Sequence, residues 1–413
     1  MTLNELTESD KKILSAIRNN PNQKRTKIAD LTNIAWTTTT NSIDKLIEAG
    51  MVQKTGSECE SDKKTLEIAE NYAYFLGVSI GTSHIKISIL DFAFNFVKKE
   101  TILSLLAPTS RFVSDFWNNN HFKKQTNENL AFWCAETPSK GLLDVKKLIN
   151  ELCEFSIELN KKINILAIGF SFPGHIDNKN GVIIKSSNLD FELNNVGQNT
   201  MFTSEMLRQM EINGIKIYFE HNVKAATVAE RALGVLKNQN GNCAVLYLGT
   251  GLGVSFWLDG RLYRGKSNAA GQLGHIKTNY FTNSFSENRC SCGDQGCLEQ
   301  NIRDLFENNI SVKESTGKEL AIWLDANEDA KIALVNYLSK AIFNISSLLE
   351  IDCVVFSGKL SELYHSIENL FQEKMIQNDQ ANMYVATSTL GEYSASIGTA
   401  ICGYYNLIES SVD

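Results

Sequence analysis

The fold is decided by a stretch that begins at residue 77 and reads Gly77-Val78-Ser79-Ile80-Gly81-Thr82-Ser83-His84-Ile85-Lys86-Ile87-Ser88-Ile89-Leu90. Apolar residues alternate on both sides of a glycine turn, which predicts two antiparallel strands. A second copy follows with its Gly-Thr pair aligned: Val245-Leu246-Tyr247-Leu248-Gly249-Thr250-Gly251-Leu252-Gly253-Val254-Ser255-Phe256-Trp257-Leu258. Two such hairpins predict a duplicated α/β domain whose two lobes flank a cleft. Turns of this kind cradle phosphate through their N–H groups, but they also occur without a ligand, and both interpretations stay open.

Between the two hairpins, polar residues follow predicted strands, which is where α/β folds place ligands. The segments concerned are the stretch 165–174, a buried strand that runs into a loop at Pro173-Gly174, the strand 182–184 before Ser186-Ser187-Asn188, and the strand 215–219 before Glu220-His221-Asn222 and a helix over 223–233. Residues 108–141 are rich in Asn, Phe and Trp without a clear period, and this composition indicates an insertion of unknown role. A strand at 353–356 and a helix of small residues at 395–404 complete the chain.

A cysteine-rich loop follows the second hairpin and reads Cys290-Ser291-Cys292-Gly293-Asp294-Gln295-Gly296-Cys297-Leu298-Glu299. Three thiols in eight residues, with two glycines that allow a tight turn, are the usual arrangement of a tetrahedral zinc site. The histidine of the upstream segment Gln272-Leu273-Gly274-His275 could supply the fourth ligand. Three unrelated buried thiols are the alternative, but the polar character of the loop fits burial poorly. We predict a metal site formed by His275, Cys290, Cys292 and Cys297.

Composition sets the class of protein. The chain has 413 residues, of which 43% are hydrophobic and 21% charged, and its net charge is −7. That length predicts two or three folding units. No window approaches eighteen uninterrupted apolar residues, and the first twelve residues do not resemble a signal peptide, so we expect no membrane span. Nine cysteines, three of them in one loop, suit a reducing compartment. These features predict a cytoplasmic protein.

The first seventy residues have the pattern of three helices and a wing. Apolar residues recur at helical spacing around residues 7–19, where Thr7 or Ser9 is the expected N-cap, and again at 27–32 and 36–49. Residues 51–54 and 66–68 predict the two strands of the wing. This order is that of a winged helix-turn-helix, whose third helix enters the major groove of DNA. The alternative is a small helical protein-interaction module, but a run of four threonines is a mediocre helix former and favours a role in DNA binding.

The predicted DNA contacts divide into two sets. The residues placed to meet base edges lie in the first half of the third helix and are Thr37, Thr38, Asn41 and Ser42. Phosphate contacts are expected from Lys27 and from further basic residues, namely Lys24, Arg25, Lys45, Lys54, Lys63 and Lys64. No arginine lies in the reading half, so we expect no strong arginine–guanine recognition.

Over nearly its whole length the chain resembles the ROK family of repressors, open reading frames and sugar kinases. The cysteine loop with its histidine, the Pro-Gly segment, the Asn-Leu pair at Asn188 and the Gly249-Thr250-Gly251-Leu252-Gly253 turn occur in the family's order. The resemblance implies a two-lobed fold like that of hexokinase and actin, a sugar in the cleft, and homodimers or homotetramers. An added winged helix-turn-helix distinguishes the family's regulators from its kinases.

The resemblance fails at the kinase's catalytic positions. Family kinases have Glu-Asn-Asp where this chain has Glu220-His221-Asn222, and their aspartate takes the proton of the attacking sugar hydroxyl. An amide at Asn222 has no usable basicity near neutral pH. The first phosphate loop also lacks its aspartate and one glycine, because the chain reads Ser79-Ile80-Gly81-Thr82-Ser83 there. We therefore expect no kinase activity.

The sugar side of the motif is better kept. The resemblance assigns sugar contacts to seven positions, which are Gly174, Asn188, His221, Asn222, Gln272, His275 and Glu299. Neutral amides with one carboxylate suit recognition of an uncharged polyol. Four protein ligands close the zinc tetrahedron, so the expected metal is structural and holds the loop.

Together these features predict an N-terminal winged helix-turn-helix over residues 1–70, a linker over 71–76, and a two-lobed α/β ROK sugar-binding domain over 77–413 with its zinc loop at 275–299. The predicted function is that of a sugar-responsive transcriptional regulator, a repressor, whose partners are operator DNA and a small sugar or sugar-phosphate effector. One alternative is an ATP-dependent sugar kinase with residual activity. A second is an architectural DNA-binding protein that responds to no ligand.

Overall fold

The computed structural model describes residues 3–56, 64–82, 84–106, 122–123, 132–136, 142–186, 193–249, 251–278, 288–306, 310–312, 315–378, 380 and 382–408. The first unit contains three helices and a two-stranded wing: α1 (Glu8–Asn19), α2 (Arg25–Thr32), α3 (Trp36–Glu48), β1 (Val52–Thr55) and β2 (Thr65–Ile68). Thr7 caps α1 through a reciprocal capping box with Asp10, so the first of the two predicted caps is correct. The wing strands pair antiparallel from Val52 opposite Ile68 to Thr55 opposite Thr65.

The first lobe follows without a break. Its elements are β3 (Tyr74–Ile80), β4 (His84–Asp91), α4 (Lys99–Leu105), β5 (Phe122–Lys123), β6 (Phe132–Glu136), α5 (Leu142–Asn160), β7 (Ile165–Phe172), β8 (His175–Asp177), β9 (Val182–Ser186), β10 (Leu193–Gly197), α6 (Gln198–Met201), α7 (Ser204–Ile212), β11 (Lys216–His221) and α8 (Asn222–Ala232). The main sheet has the strand order β11-β7-β3-β4-β6-β5, and β10-β9-β8 form a smaller sheet.

The second lobe has a sheet of order β14-β13-β12-β15-β16. Its elements are β12 (Cys243–Leu248), β13 (Leu252–Leu258), β14 (Arg261–Tyr263), α9 (Leu298–Phe306), α10 (Gly317–Asp325), α11 (Glu328–Leu349), β15 (Cys353–Gly358), α12 (Leu360–Gln377) and β16 (Tyr384–Thr387), and the last element described is α13 (Ser394–Ile408). Helix α11 is long and apolar enough by length and composition to cross a membrane. It packs against α9, α10 and α12 as a helix of this lobe.

The predicted internal duplication is present. β3 and β4 pair antiparallel up to Ile80 opposite Ile85, and β12 and β13 do so up to Leu248 opposite Leu252. Each hairpin is extended by two parallel strands on one side, β7 and β11 in the first sheet and β15 and β16 in the second. Because parallel strands need crossover connections, both lobes carry helices on their sheets.

The last helix, α13, lies against both the first sheet and α8. A Cβ atom at Gly77 would lie 1.9 Å from the Ser396 carbonyl oxygen, and one at Gly398 would lie 1.6 Å from the Ala225 carbonyl oxygen. Glycine is therefore required at both positions, because any side chain would push α13 off its neighbours. The small-residue composition of this helix follows from that close approach.

The structure differs from the predicted linker at residues 71–76 and describes only part of the predicted insertion at 108–141. The predicted linker over residues 71–76 is not a free segment, because Tyr74 already begins β3 and Phe75 is fully buried. The first unit and α13 share one apolar cluster, in which Ile13 and Leu14 belong to the same core as Phe75 and Tyr404. Of the predicted insertion at 108–141, the structure describes only residues 122–123 and 132–136, which add β5 and β6 to the first sheet.

Candidate functional site

A cleft of about 630 Å³ lies between the lobes and is large enough for a small ligand. Six of the seven predicted sugar-contacting residues line it, namely Gly174, His221, Asn222, Gln272, His275 and Glu299. They come from segments up to 125 residues apart, which are brought together by the end of β7, the β11–α8 junction and the start of α9. The seventh, Asn188, lies outside the described residues.

His221 and Asn222 lie at the floor of the cleft, where β11 passes into α8. The Nδ1 atom of His221 accepts the N–H of Val223 at 3.2 Å and so caps the helix. Burial holds the pKa of His221 well below its ordinary value, and the nearby charges of Lys224, His175 and Arg264 act in the same direction. The imidazole is therefore neutral at physiological pH.

Asn222 is buried, with 9% of its surface exposed, and its Oδ1 atom has no hydrogen-bond partner among the described residues. A buried polar atom without a partner is costly unless a ligand or water completes it. An amide oxygen accepts a hydrogen bond from a hydroxyl but does not remove its proton at neutral pH. The geometry at Asn222 thus suits hydroxyl recognition without proton abstraction.

Two other predicted contacts have different surroundings. Gly174 has φ 111°, and a Cβ atom there would lie 2.3 Å from the Lys185 carbonyl oxygen. Its glycine is explained by the close approach of the chain to β9. Gln272 is exposed at the mouth of the cleft and precedes the short 3-10 turn Leu273–His275.

The carboxylate of Glu299 is 4% exposed and held by the protein on both oxygens. Its Oε2 accepts the N–H of Leu252 at 2.9 Å, and its Oε1 accepts from Arg303 at 3.2 Å. Glu299 therefore joins the start of α9 to the second glycine turn. A carboxylate has about four acceptor positions, so it retains capacity for a ligand hydroxyl.

The four predicted metal ligands converge. One ligand atom from each of His275, Cys290, Cys292 and Cys297 lies within 4.8 Å of the others. The loop reaches this geometry because Gly293 and Gly296 take φ of 94° and 72°, which favours glycine. The N–H of Gly293 donates to the Cys290 carbonyl at 2.8 Å and closes the turn.

The interatomic distances fit a tetrahedral metal. Bonds of about 2.3 Å to sulfur and 2.0 Å to nitrogen set edges of about 3.8 Å between sulfurs and 3.5 Å between sulfur and nitrogen. Cys292 and Cys297 Sγ are 3.6 Å apart, and Cys290 Sγ lies 3.5 Å from His275 Nδ1. Lys277 Nζ lies 3.4 Å from Cys297 Sγ and would offset the negative charge of three thiolates. The cluster can hold a metal ion.

A buried charge network beneath the cleft was not predicted. Arg264 Nη1 pairs with Glu220 Oε2 at 2.8 Å, and Glu220 is fully buried. Lys224, only 1% exposed, donates to the carbonyls of Asn268 at 2.8 Å and Ala270 at 3.1 Å, and burial lowers its pKa to about 8. These contacts tie the 264–272 segment, which carries Gln272, to the β11–α8 junction.

In the other half of the cleft, next to the two glycine turns, three charged side chains line the wall: Lys86, Lys359 and Glu392. Lys86 on β4 pairs with Glu392 at 2.5 Å. Burial opposes ionisation of Glu392, but Lys86 and Lys359 outweigh it and hold its pKa below the ordinary value. Lys359 itself is largely buried, which lowers its pKa to about 8. The resemblance places ATP phosphates in this region, where Ser79 replaces the expected aspartate and Glu392 is already paired.

In the first unit, the predicted DNA-facing residues behave differently from one another. Thr37, Thr38 and Asn41 are exposed on α3, and Lys27 is exposed on α2. Ser42 is 5% exposed and faces the core of the unit, so its assignment to base reading is wrong. Burial raises the pKa of Asp10, but hydrogen bonds from Ser42 and Thr7 outweigh it, and the pKa is lowered overall. Ser42 thus stabilises α1 against α3.

One of the predicted phosphate contacts is also used internally. Arg25 forms an ion pair with Asp44 and thereby joins α2 to α3. Lys24, Lys45, Lys54 and Lys64 are exposed, and Lys63 lies outside the described residues. Among the described residues of this unit the exposed basic side chains are therefore lysines, which contact phosphate as point charges rather than as bidentate groups.

Comparisons with known proteins agree with this architecture. The winged helix-turn-helix DNA-binding family matches residues 6–53, and the ROK family matches residues 120–403. The xylose repressor of Bacillus subtilis is 20% identical over 405 residues, which is 94% of this chain and 93% of that protein. This match covers both the first unit and the two lobes.

Solved structures show the same fold. A ROK family transcriptional regulator, a homolog of the E. coli MLC protein, has a TM-score of 0.67 at 17% identity over 97% of this chain and 96% of its own. A ROK family glucokinase from Streptomyces griseus, in complex with glucose and AMPPNP, has a TM-score of 0.55 at 17% identity and covers 80% of this chain and 98% of its own. The regulator thus matches the first unit as well, and since the ROK match spans more than half of the sequence, the chain belongs to the ROK family.

Proposed function

We propose that this protein is a sugar-responsive transcriptional repressor whose kinase-like cleft binds a sugar without phosphorylating it. The observation that carries the proposal is the combination of a winged helix-turn-helix with a cleft that has Asn222 at the position of the kinase base. The Bacillus subtilis relative named as a xylose repressor spans the same two units. D-xylose is therefore the first effector to test, and sugar phosphates are the next.

The cleft supports binding rather than catalysis. Loss of a general base alone costs roughly 10²–10⁴-fold in rate. On the nucleotide side, the Lys86–Glu392 ion pair lines the cleft beside the first glycine turn, and Ser79 offers no carboxylate for a metal–nucleotide complex. The alternative of a residual sugar kinase requires turnover despite both changes.

A sugar would meet one buried acceptor and a ring of polar groups. The unpaired Oδ1 of Asn222 accepts one hydroxyl, and Glu299 accepts another with its remaining lone pairs. His275 and Gln272 face the same cleft from the second lobe. With the neutral His221 beside them, these groups favour an uncharged polyol over a cationic ligand.

For the metal, zinc is the ion that the donor set favours. Three thiolates and one imidazole at tetrahedral spacing are typical of structural zinc sites, which keep no open position for catalysis. The ion would hold the 290–297 loop against His275 and so place the start of α9, with Glu299, at the cleft. Zinc has no part in the binding chemistry beyond that placement.

DNA recognition is assigned to α3 and the surrounding lysines. Thr37, Thr38 and Asn41 would meet base edges, and Lys27 would meet phosphate. Because helix-turn-helix proteins read two half-sites, a homodimer or homotetramer in the cytoplasm is the form expected to bind the operator. Mass measured in solution with and without operator DNA tests that form.

The decisive test of the function combines DNA binding, sugar binding and ATP consumption on one sample. An operator is first selected from random-sequence duplexes with the purified full chain. A sugar that binds the folded protein, added at a concentration of about 100 times its dissociation constant, raises the free energy of unfolding by roughly 2.7 kcal/mol. We expect such stabilisation with at least one sugar, no ATP consumption, and an altered operator affinity. A turnover near 1 per second, ordinary for kinases, would contradict the proposal.

The zinc proposal has its own test. Cys292→Ser should lower the zinc content and the melting temperature together, because Cys292 supplies one ligand of the tetrahedron. Ser291→Ala, in the same loop but outside the ligand set, is the matched control and should keep its zinc. A full zinc complement in Cys292→Ser would refute the assignment of that ligand.

A further inference from the structure

We infer that Arg18 is a positioning residue that, beside the shared apolar cluster, fixes the first unit against the rest of the protein, and that the sugar effect on DNA affinity passes through its contact with α13. This inference rests on the proposed function, because it names the joint through which the cleft would regulate operator binding. The contact joins α1 of the first unit to the C-terminal helix of the chain.

The guanidinium of Arg18 is enclosed by three aromatic rings of the body. Its central carbon lies 3.7 Å from the ring centroid of Tyr404, 4.1 Å from that of Phe94 and 5.2 Å from that of Phe92. All three distances fall within the range of a cation–π interaction. Nη2 also donates to the carbonyl of Phe92 at 2.6 Å. The Arg18 side chain of the first unit is thus bound in a pocket formed by three aromatic rings and one backbone carbonyl.

The turn that presents two of these rings is itself constrained. Asp91 Oδ1 accepts the N–H groups of Ala93 at 2.8 Å and of Asn95 at 2.9 Å. Between them Phe94 has φ 69°, a left-handed conformation that bulky residues rarely adopt. Such strain persists only where the surroundings fix it, and it is concentrated at functional contacts. Here it aims the Phe94 ring at Arg18.

The contact is held more by ring faces than by directional hydrogen bonds. Nε and Nη1 of Arg18 are buried and have no hydrogen-bond partner among the described residues. These two nitrogens have therefore exchanged water for the ring faces, while Arg18 as a whole is half-buried. Because an ion without this enclosure would be expensive to bury, the position of Arg18 must follow the position of Tyr404.

Tyr404 belongs to a helix that touches both lobes. At its first residue, Ser394 lies 3.2 Å from Ser357 of β15 in the second lobe, measured between the hydroxyl oxygens. Ser396 is hydrogen-bonded to Ser88 of β4 in the first lobe at 2.6 Å. Ten residues separate Ser394 from Tyr404, or about 15 Å along the axis. A change in the angle between the lobes would therefore move the far end of α13.

The same helix also contacts the floor of the cleft. α8 begins at Asn222, and one turn later the carbonyl of Ala225 lies against Gly398 of α13 with no room for a Cβ atom. Tyr218, on the strand before α8, donates to the Thr399 carbonyl at 2.7 Å. A ligand that shifts the β11–α8 junction thus acts on α13 through backbone contacts.

The test compares operator affinity with and without sugar in the full-length protein. The variants are Arg18→Lys, which keeps the charge but removes the flat guanidinium, and Tyr404→Leu, which removes one ring. Lys12→Met is the control, because Lys12 is an exposed cation of α1 outside the contact. The probes are a duplex selected from random sequences, D-xylose and D-glucose. Thermal shift with the same sugars shows that the cleft still binds them.

We expect the wild-type protein and Lys12→Met to change their operator Kd with sugar by a factor in the usual allosteric range of about 5–150. In Arg18→Lys and Tyr404→Leu that factor should fall to about 2 or less, while the sugar still stabilises the protein. A sugar effect of full size in Arg18→Lys would overturn the inference and leave the proposed function intact. A wild-type protein whose DNA affinity no sugar alters would overturn both.

Discussion

The buried ion pair between Glu220 and Arg264 offers the most quantitative test of how the cleft is held. Glu220 is fully buried, and the side chain of Arg264 is 11% exposed. Replacing Arg264 by Met leaves the carboxylate with the N–H of His221 at 2.8 Å and an amide of Asn268 at 3.4 Å. Removal of one partner from a buried pair costs about 3–5 kcal/mol, because an uncompensated charge remains.

Removing both charges should cost less than removing one. In Arg264→Met with Glu220→Gln, neither charge of the pair is left and the amide keeps the shape of the carboxylate, while buried Lys224 keeps its hydrogen bonds to the carbonyls of Asn268 and Ala270. We expect the double variant to be more stable than Arg264→Met alone by about 1–3 kcal/mol, because a buried group left without its partner pays its desolvation cost, whereas replacing both partners by uncharged groups of similar shape costs little. The two single variants and the double variant form a complete cycle.

Urea unfolding followed by circular dichroism measures these free energies. Arg208→Met is the control, because Arg208 and Glu205 also lie 2.7 Å apart but on the surface, with side-chain exposures of 58% and 62%. Its stability should stay unchanged, since exposed pairs contribute little. If Arg264→Met were no less stable than this control, or the double variant less stable than Arg264→Met, the argument about the buried network would be refuted.

Three further predictions concern the cleft floor and the DNA-facing helix. Burial keeps His221 neutral in the folded state, so below about pH 6.5 the unfolded chain binds one more proton than the folded chain. As the pH falls below that value, the free energy of unfolding of the wild type should drop by up to about 1.4 kcal/mol per pH unit relative to that of His221→Gln. Equal pH dependence of melting in the two proteins would contradict this prediction. Asn222→Asp should not create a sugar kinase, since the first phosphate loop remains incomplete, and ADP release near 1 per second would show otherwise. Lys27→Ala should weaken binding to all duplexes and lower the salt slope by about 1, whereas Asn41→Ala should change the preference among sites; uniform loss in Asn41→Ala would argue against base reading.

Local patterns in the sequence predicted the elements that local physics determines. Alternating apolar residues around Gly81 and Gly251 gave both hairpins, because side-chain period and glycine turns act within a few residues. The metal cluster could be predicted for a similar reason, because Cys290, Cys292 and Cys297 lie within eight residues of one another. His275 lies fifteen positions before Cys290 in the sequence.

Contacts between distant segments could not be predicted in this way. Lys86 and Glu392 are 306 positions apart, and nothing near either residue indicates the other. Arg264 was indistinguishable from a surface cation until the fold placed it on Glu220. The expected linker is likewise part of the first sheet. Tyr74 lies opposite Asp91 of β4 on one side and opposite Ile165 of β7 on the other.

The helical spacing of α3 already indicates an inward position for Ser42. Thr39, Ser42, Ile43 and Leu46 are the buried residues of α3, at helical spacing on one face. Helical phase therefore placed Ser42 inside, although its polarity suggested solvent or DNA. The inward position is tolerated because its hydroxyl bonds to the carboxylate of Asp10.

Operator affinity measured against increasing sugar, with ATP consumption recorded on the same samples, tests the central claim most directly. The account predicts that at least one pentose or hexose changes the operator Kd by about 5-fold or more while no ADP is formed. An operator Kd that no sugar alters, or sugar-dependent ATP turnover near 1 per second, would contradict it.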